Sequence, residues 1–156
     1  MITFSLIEIS IENINENQQI DKIRREKTQL GTDLKMLATG NLLTKKKGLD
    51  IAIGIQNFAQ AITHRLMTVR GEHPEDASVG VPWNLYLGAT YDDANQILAD
   101  LGGEILTEVY KDYRTTYAKF DYIRFADSNI IEISLSVTNQ ANDTANISLN
   151  AVQRGE

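Results

Sequence analysis

Glu72, Glu75 and Asp76 lie close together in VRGEHPEDASVGVPWNLYLG, residues 69–88, with His73 among them. Two neighbouring carboxyls are what a glycosidase needs, one kept protonated by burial as the acid and the other ionised as nucleophile or base. A histidine beside carboxylates is also the beginning of a metal site. Neither chemistry is completed by its surroundings. The only other histidine, His64, belongs to a different segment, and no ligand spacing links it to these acids. Loop carboxylates in an acidic chain are far more often solvated than catalytic. The chain has no cysteine, which excludes disulfides, thiolate ligands and a cysteine nucleophile. It has no glycine-rich phosphate loop, no Ser-His-Asp spacing and no interleaving of basic and aromatic residues. No enzyme activity, metal ligand or cofactor is therefore expected.

The same stretch contains both prolines and the only tryptophan, which suits a stiff connection better than a catalytic loop. Gly71 can take a left-handed turn after a helix, and Pro74 keeps that helix from restarting. Gly80 and Pro82 set a second turn, after which Trp83, Leu85 and Leu87 bring the chain back to the core. Arg70 and Glu72, carried on such a connection, are placed to contact a partner.

The flanking elements follow from hydrophobic periodicity. Ile51, Ile55, Phe58, Ile62 and Leu66 recur at three- and four-residue spacings, so a helix is predicted from Gly48, with Asp50 in its first turn and His64 and Arg65 near its end. A second helix is predicted after a Thr90 cap, with Ala94, Ile97, Leu98, Leu101, Ile105 and Val109 on one face. Gly102 and Gly103 interrupt it at a cost of about 1 kcal/mol each, and mark a bend or a close contact. Beyond Tyr117 the period becomes two. The segments KFDYIRF, IIEISLSVT and TANISLNAV, separated by ADSN and NQAND, predict a three-stranded antiparallel meander. Ile131, Ile133, Leu135 and Val137 share one face, as do Ile147, Leu149 and Ala151, and Ser, Asn, Thr and Glu dominate the other. The sequons at Asn142 and Asn146 read more simply as turn and strand residues.

Residues 1–30 begin with Ile2, Phe4, Leu6, Ile7 and Ile9 in near alternation and then turn polar through NENQQIDKIRREKTQL. They are expected to form an extended or helical N-terminal arm that docks on a partner, ahead of a single domain over 31–156. The fold class is α+β: two main amphipathic helices packed on a C-terminal three-stranded antiparallel sheet with an open edge. A length of 156 residues allows one domain with a real core, and a net charge of −6 argues against nucleic acid as the partner. No apolar run reaches the length of a membrane span and the first residues lack a basic leader, so no membrane association is expected and synthesis in a cytoplasm is.

The runs GTDLKM (31–36), GLDIAIGIQNFAQAITHRLMTVRGE (48–72) and SVGVPWNLYLG (78–88) together resemble the small baseplate wedge and sheath-initiator family of contractile phage tails. That family recurs in contractile secretion and injection machines and often carries a lysozyme-like label. Thr68, Arg70, Gly71 and Glu72 match its Thr-x-x-Gly-Glu type turn, and Gly80, Leu87 and Gly88 match the segment that follows. Where many members have an acid-Pro-Arg element after the second helix, this chain has KDYR; Asp112 and Arg114 stand in for the acid and the base, and Tyr113 replaces the proline. The resemblance implies a structural protein of the virion tail baseplate, assembled in the host bacterial cytoplasm in six copies. It would meet wedge proteins through Arg70, Gly71, Glu72, Asp112 and Arg114, with hub, spike or tube proteins nearby. Its C-terminal sheet, at Ile131, Ile133, Leu135, Ile147 and Leu149, would take an added strand from sheath subunits. The alternatives are a cell-wall glycosidase using Glu72 and a second carboxylate, and a tail-assembly chaperone.

Overall fold

A computed structural model describes residues 1–11, 30–36, 44–45, 48–88 and 94–154. In chain order it contains strand β1 (Ile2–Ile11), the short strands β2 (Thr32–Leu34), β3 (Thr44–Lys45), β4 (Gly48–Leu49) and β5 (Ile51–Ile53), and helices α1 (Ile55–Leu66) and α2 (Ala94–Tyr110). Strands β6 (Thr115–Asp127), β7 (Ile130–Asn139) and β8 (Thr144–Gln153) complete it. β2 pairs with β5 and β3 with β4 as small antiparallel ribbons.

The predicted C-terminal meander is present, but the sheet is not three-stranded. It has four antiparallel strands in the order β1-β8-β7-β6, so the fold is richer in sheet than two helices on a meander. The added strand comes from the far end of the sequence. Ile2, Phe4 and Leu6 face Gln153, Ala151 and Leu149, while Ile9 and Ile11 face Ile147 and Ala145. The alternation changes phase between these two groups, and a register shift between Leu6 and Glu8 absorbs the change. One extra residue there turns Ile7 to solvent, 57% exposed, and returns Ile9 to the core side. Of the two edges of the expected meander, the one at β8 is therefore covered by the chain's own first strand. Residues 12–29, the polar remainder of the expected arm, lie outside the described residues.

Helix α1 also begins later than expected. Ile51 belongs to β5 and is exposed, and the helix starts at Ile55 after Gly54, whose φ of 62° breaks the strand. Asp50 is then not a first-turn acid. Its carboxylate accepts the Ile51 N–H at 2.9 Å and faces Lys35 Nζ at 3.7 Å. The predicted Thr90 cap lies outside the described residues.

The core is a sheet-on-helix layer. Ile131, Ile133, Leu135 and Val137 of β7 and Ala145, Ile147, Leu149 and Ala151 of β8 are completely buried against Phe58, Ile62 and Leu66 of α1 and Leu101, Ile105 and Val109 of α2. Each such Leu, Ile, Val or Phe contributes roughly 1.5–3 kcal/mol by leaving water. Gly102 lies where α2 passes over β6: a Cβ there would stand 3.4 Å from the Phe120 ring. The adjacent Gly103 faces open space.

Candidate partner-binding surfaces

The connection between the helices is locked from both sides. Trp83, fully buried, donates its indole N–H to the Leu66 carbonyl at 2.8 Å, satisfying a C-terminal acceptor of α1. The Val81 N–H donates to the Thr68 carbonyl and the Arg70 N–H to the Val81 carbonyl, each at 3.0 Å. Gly71 N–H closes the intervening loop on the Ala77 carbonyl at 3.1 Å. Gly80 adopts φ 99°, and a Cβ there would lie 2.4 Å from the Thr68 carbonyl oxygen. Only glycine fits this approach.

Charged side chains fasten the loop to α2. Arg70 reaches Glu104 at 2.8 Å and donates through Nε to the Gly80 carbonyl at 3.1 Å. Glu108, fully buried, accepts from Arg65 at 2.8 Å and from Lys111 at 2.7 Å, and Lys111 also donates to the Ser78 carbonyl at 2.7 Å. Burial pushes the Glu108 carboxyl up, but hydrogen bonds from Lys111, the Gly80 N–H and Arg65 outweigh it and hold the group below its usual range. Glu72 and Gly71 remain exposed on the loop. The suggestive acids beside them form a turn: His73 Nδ1 accepts the N–H groups of Glu75 and Asp76 at 3.3 and 3.2 Å, and Asp76 accepts the Ser78 N–H at 2.9 Å. Among the described residues no three His, Asp or Glu side chains converge as a metal site.

Asp112 and Arg114 face inward. Arg114 Nε and Nη2 grip the two oxygens of Asp112 at 2.8 and 2.5 Å, while Nη1 donates to the Leu30 carbonyl at 2.8 Å. The guanidinium also lies 5.6 Å from the centre of the Phe58 ring. Burial raises the Asp112 carboxyl, and the side-chain and backbone hydrogen bonds of Arg114 more than reverse the effect. The Arg114 side chain is only 12% exposed. It joins the end of α2 to α1 and to the buried Leu30. Of the five residues expected at a wedge contact, Glu72 and Gly71 are therefore at the surface, Arg70 is half engaged with Glu104, and the Asp112–Arg114 pair is an internal brace.

The residues expected at strand addition, Ile131, Ile133 and Leu135 on β7 and Ile147 and Leu149 on β8, lie on the two inner strands and face the core. A partner strand adds at a sheet margin, where it would meet β1 or β6 instead. The β6 margin is obstructed. Its pairing with β7 shifts register three times, and Tyr110 of α2 already accepts the Ala118 N–H through its hydroxyl at 3.0 Å. On the other side, a cavity of about 420 Å³ lies between β1 and α1, lined by Leu6, Ile9 and Ile11 on one wall and Ala59, Thr63 and Met67 on the other.

Glu104, Glu108, Lys111 and Tyr110 were not singled out from the sequence, although one signal was present. Leu101, Ile105 and Glu108 are spaced by four and three, which puts a glutamate on the buried stripe of α2. A scan against protein-family models finds no match for this chain, and a search of curated proteins finds none.

Proposed function

We propose that the chain is a structural component of a contractile-tail baseplate that docks on the wedge core and templates the first ring of sheath subunits by strand addition to its sheet. The observation that supports this best is the sheet itself. It packs on the helical layer through one apolar face, and its β8 margin is closed only by an edge strand, so a partner strand gains main-chain hydrogen bonds with little demand on sequence. The obstruction of the β6 margin favours the β1–β8 side as the place of addition. Wedge docking falls to the exposed turn at Gly71 and Glu72, which Gly80, Trp83 and Glu108 hold in one conformation. No bond is made or broken. The protein acts through geometry alone.

The test is sheath nucleation. Baseplates assembled without this chain should fail to seed purified sheath subunits under the electron microscope, and adding the purified chain should restore seeding. Equal seeding by baseplates that lack it refutes the reading.

A further inference from the structure

Strand β1 is joined to the sheet by an imperfect fit. No residue of β1 is fully buried, whereas its neighbour β8 buries Ala145, Ile147, Leu149 and Ala151 completely. The register shift between Leu6 and Glu8 interrupts its ladder near the middle and leaves Ile7 exposed. Among the described residues, Leu6, Ile9 and Ile11 line an open pocket between the sheet margin and α1. A strand without the bulge, and with larger apolar side chains at alternate positions, would pair continuously with β8 and occupy that space. The chain's layout permits the change. β1 is an edge strand of the four-stranded sheet and pairs with β8 alone. The Arg114 brace on Leu30 makes no use of β1.

We infer that β1 is an exchangeable strand. It covers the β8 margin in the free chain and yields that margin to an extended segment of a partner whose alternate residues are apolar. The free protein is thereby protected from pairing with wrong strands, and templating begins only when a better-fitting strand displaces its own. Naming a sheath subunit as the donor of that segment rests on the proposed function; the exchange itself does not.

Because the chain has no cysteine, the strand can be locked cleanly. Ser5 faces Asn150 across the β1–β8 pair. Facing residues of antiparallel strands have Cα atoms about 4.5–5.5 Å apart, within the span of a disulfide. The Ser5→Cys/Asn150→Cys double variant is assembled into baseplates and tested for sheath seeding, oxidised and reduced, beside wild-type particles treated identically. The reduced form should seed like wild type, and oxidation should lower its seeding at least tenfold. Equal seeding by the oxidised and reduced forms overturns the inference. If wild-type baseplates do not seed at all, the proposed function fails, and a fluorescent peptide of residues 1–13 lacking Ile7, which pairs with β8 without the bulge, decides the exchange by itself. Uptake by the wild-type and reduced chains but not by the oxidised chain supports exchange. Absence of uptake by all three, or equal uptake by the locked form, overturns it.

Discussion

Two glycines nine positions apart, Gly71 and Gly80, separate backbone strain from steric exclusion. Both have positive φ, 94° and 99°, but a Cβ on Gly71 meets nothing within 4 Å, whereas one on Gly80 collides with the Thr68 carbonyl. Gly71→Ala should therefore cost only the left-handed strain, about 1–2 kcal/mol. Gly80→Ala should cost more than about 3 kcal/mol, because the Val81–Thr68 bond must also shift. Urea unfolding of the two variants measures both. Arg114 supplies a second contrast. Its replacement by alanine strands the buried Asp112 carboxylate and removes one of the two donors to the Leu30 carbonyl, leaving Asn57, so the isolated chain should lose about 3 kcal/mol. A double-mutant cycle with Asp112→Ala should return a coupling of about 1–3 kcal/mol. Such a loss in the free chain marks Arg114 as a brace, whereas an arginine kept only for a wedge contact would leave free stability unchanged. The KDYR spelling announced an acid and a base but not that they would grip one another. Which way a side chain turns at a helix end depends on what packs there, and Leu30 and Phe58 are distant in sequence.

The helices and the three C-terminal strands were legible because their apolar residues repeat at periods no other element shares. Their margins were less so. Ile51 continues the α1 stripe by spacing, yet it lies in β5, because pairing with Leu34 and the positive φ of Gly54 end the helix before the pattern does. In α2 the glycine pair divides into two roles that spacing could not distinguish. Gly103→Ala should stabilise the chain by up to about 1 kcal/mol, since the new methyl meets nothing. Gly102→Ala should gain less, because its methyl would press on Phe120 at 3.4 Å. Thermal unfolding of the two variants should rank Gly103→Ala above Gly102→Ala. Strand β1 was visible as an alternation and even as a phase break at Ile7, but its partner was not. Pairing between the first and last strands is a contact over almost the whole chain, and no local pattern encodes it.

Across the molecule, α1, the loop and α2 are joined through one buried carboxylate, and this gives stability a pH dependence of definite sign. Glu108 and Asp112 both titrate below their ordinary values when folded. Their contribution is complete above the unfolded carboxylate pKa of about 4–4.5 and is lost as pH falls through the lower folded values. Stability should therefore be flat around neutrality with respect to these groups and decline below about pH 4.5. Glu108→Gln should lower stability at pH 7 by about 2–3 kcal/mol, leaving Arg65 and Lys111 without their carboxylate, and should make the acid decline shallower. Denaturant midpoints measured from pH 2 to 7 test both statements.

By itself the sequence determined what depends on neighbours along the chain: two amphipathic helices, the β6–β7–β8 meander, a stiff glycine- and proline-rich connection, and the absence of cysteine chemistry. These rest on periodicity and on backbone preferences, which act over a few residues. The tertiary structure alone decided that β1 closes the sheet, that Glu108 and Arg114 are turned inward, and that β8 is an inner strand rather than a margin. Burial and hydrogen-bond partnership at these positions are supplied by segments far away in sequence, and a side chain's role is settled only when those segments meet.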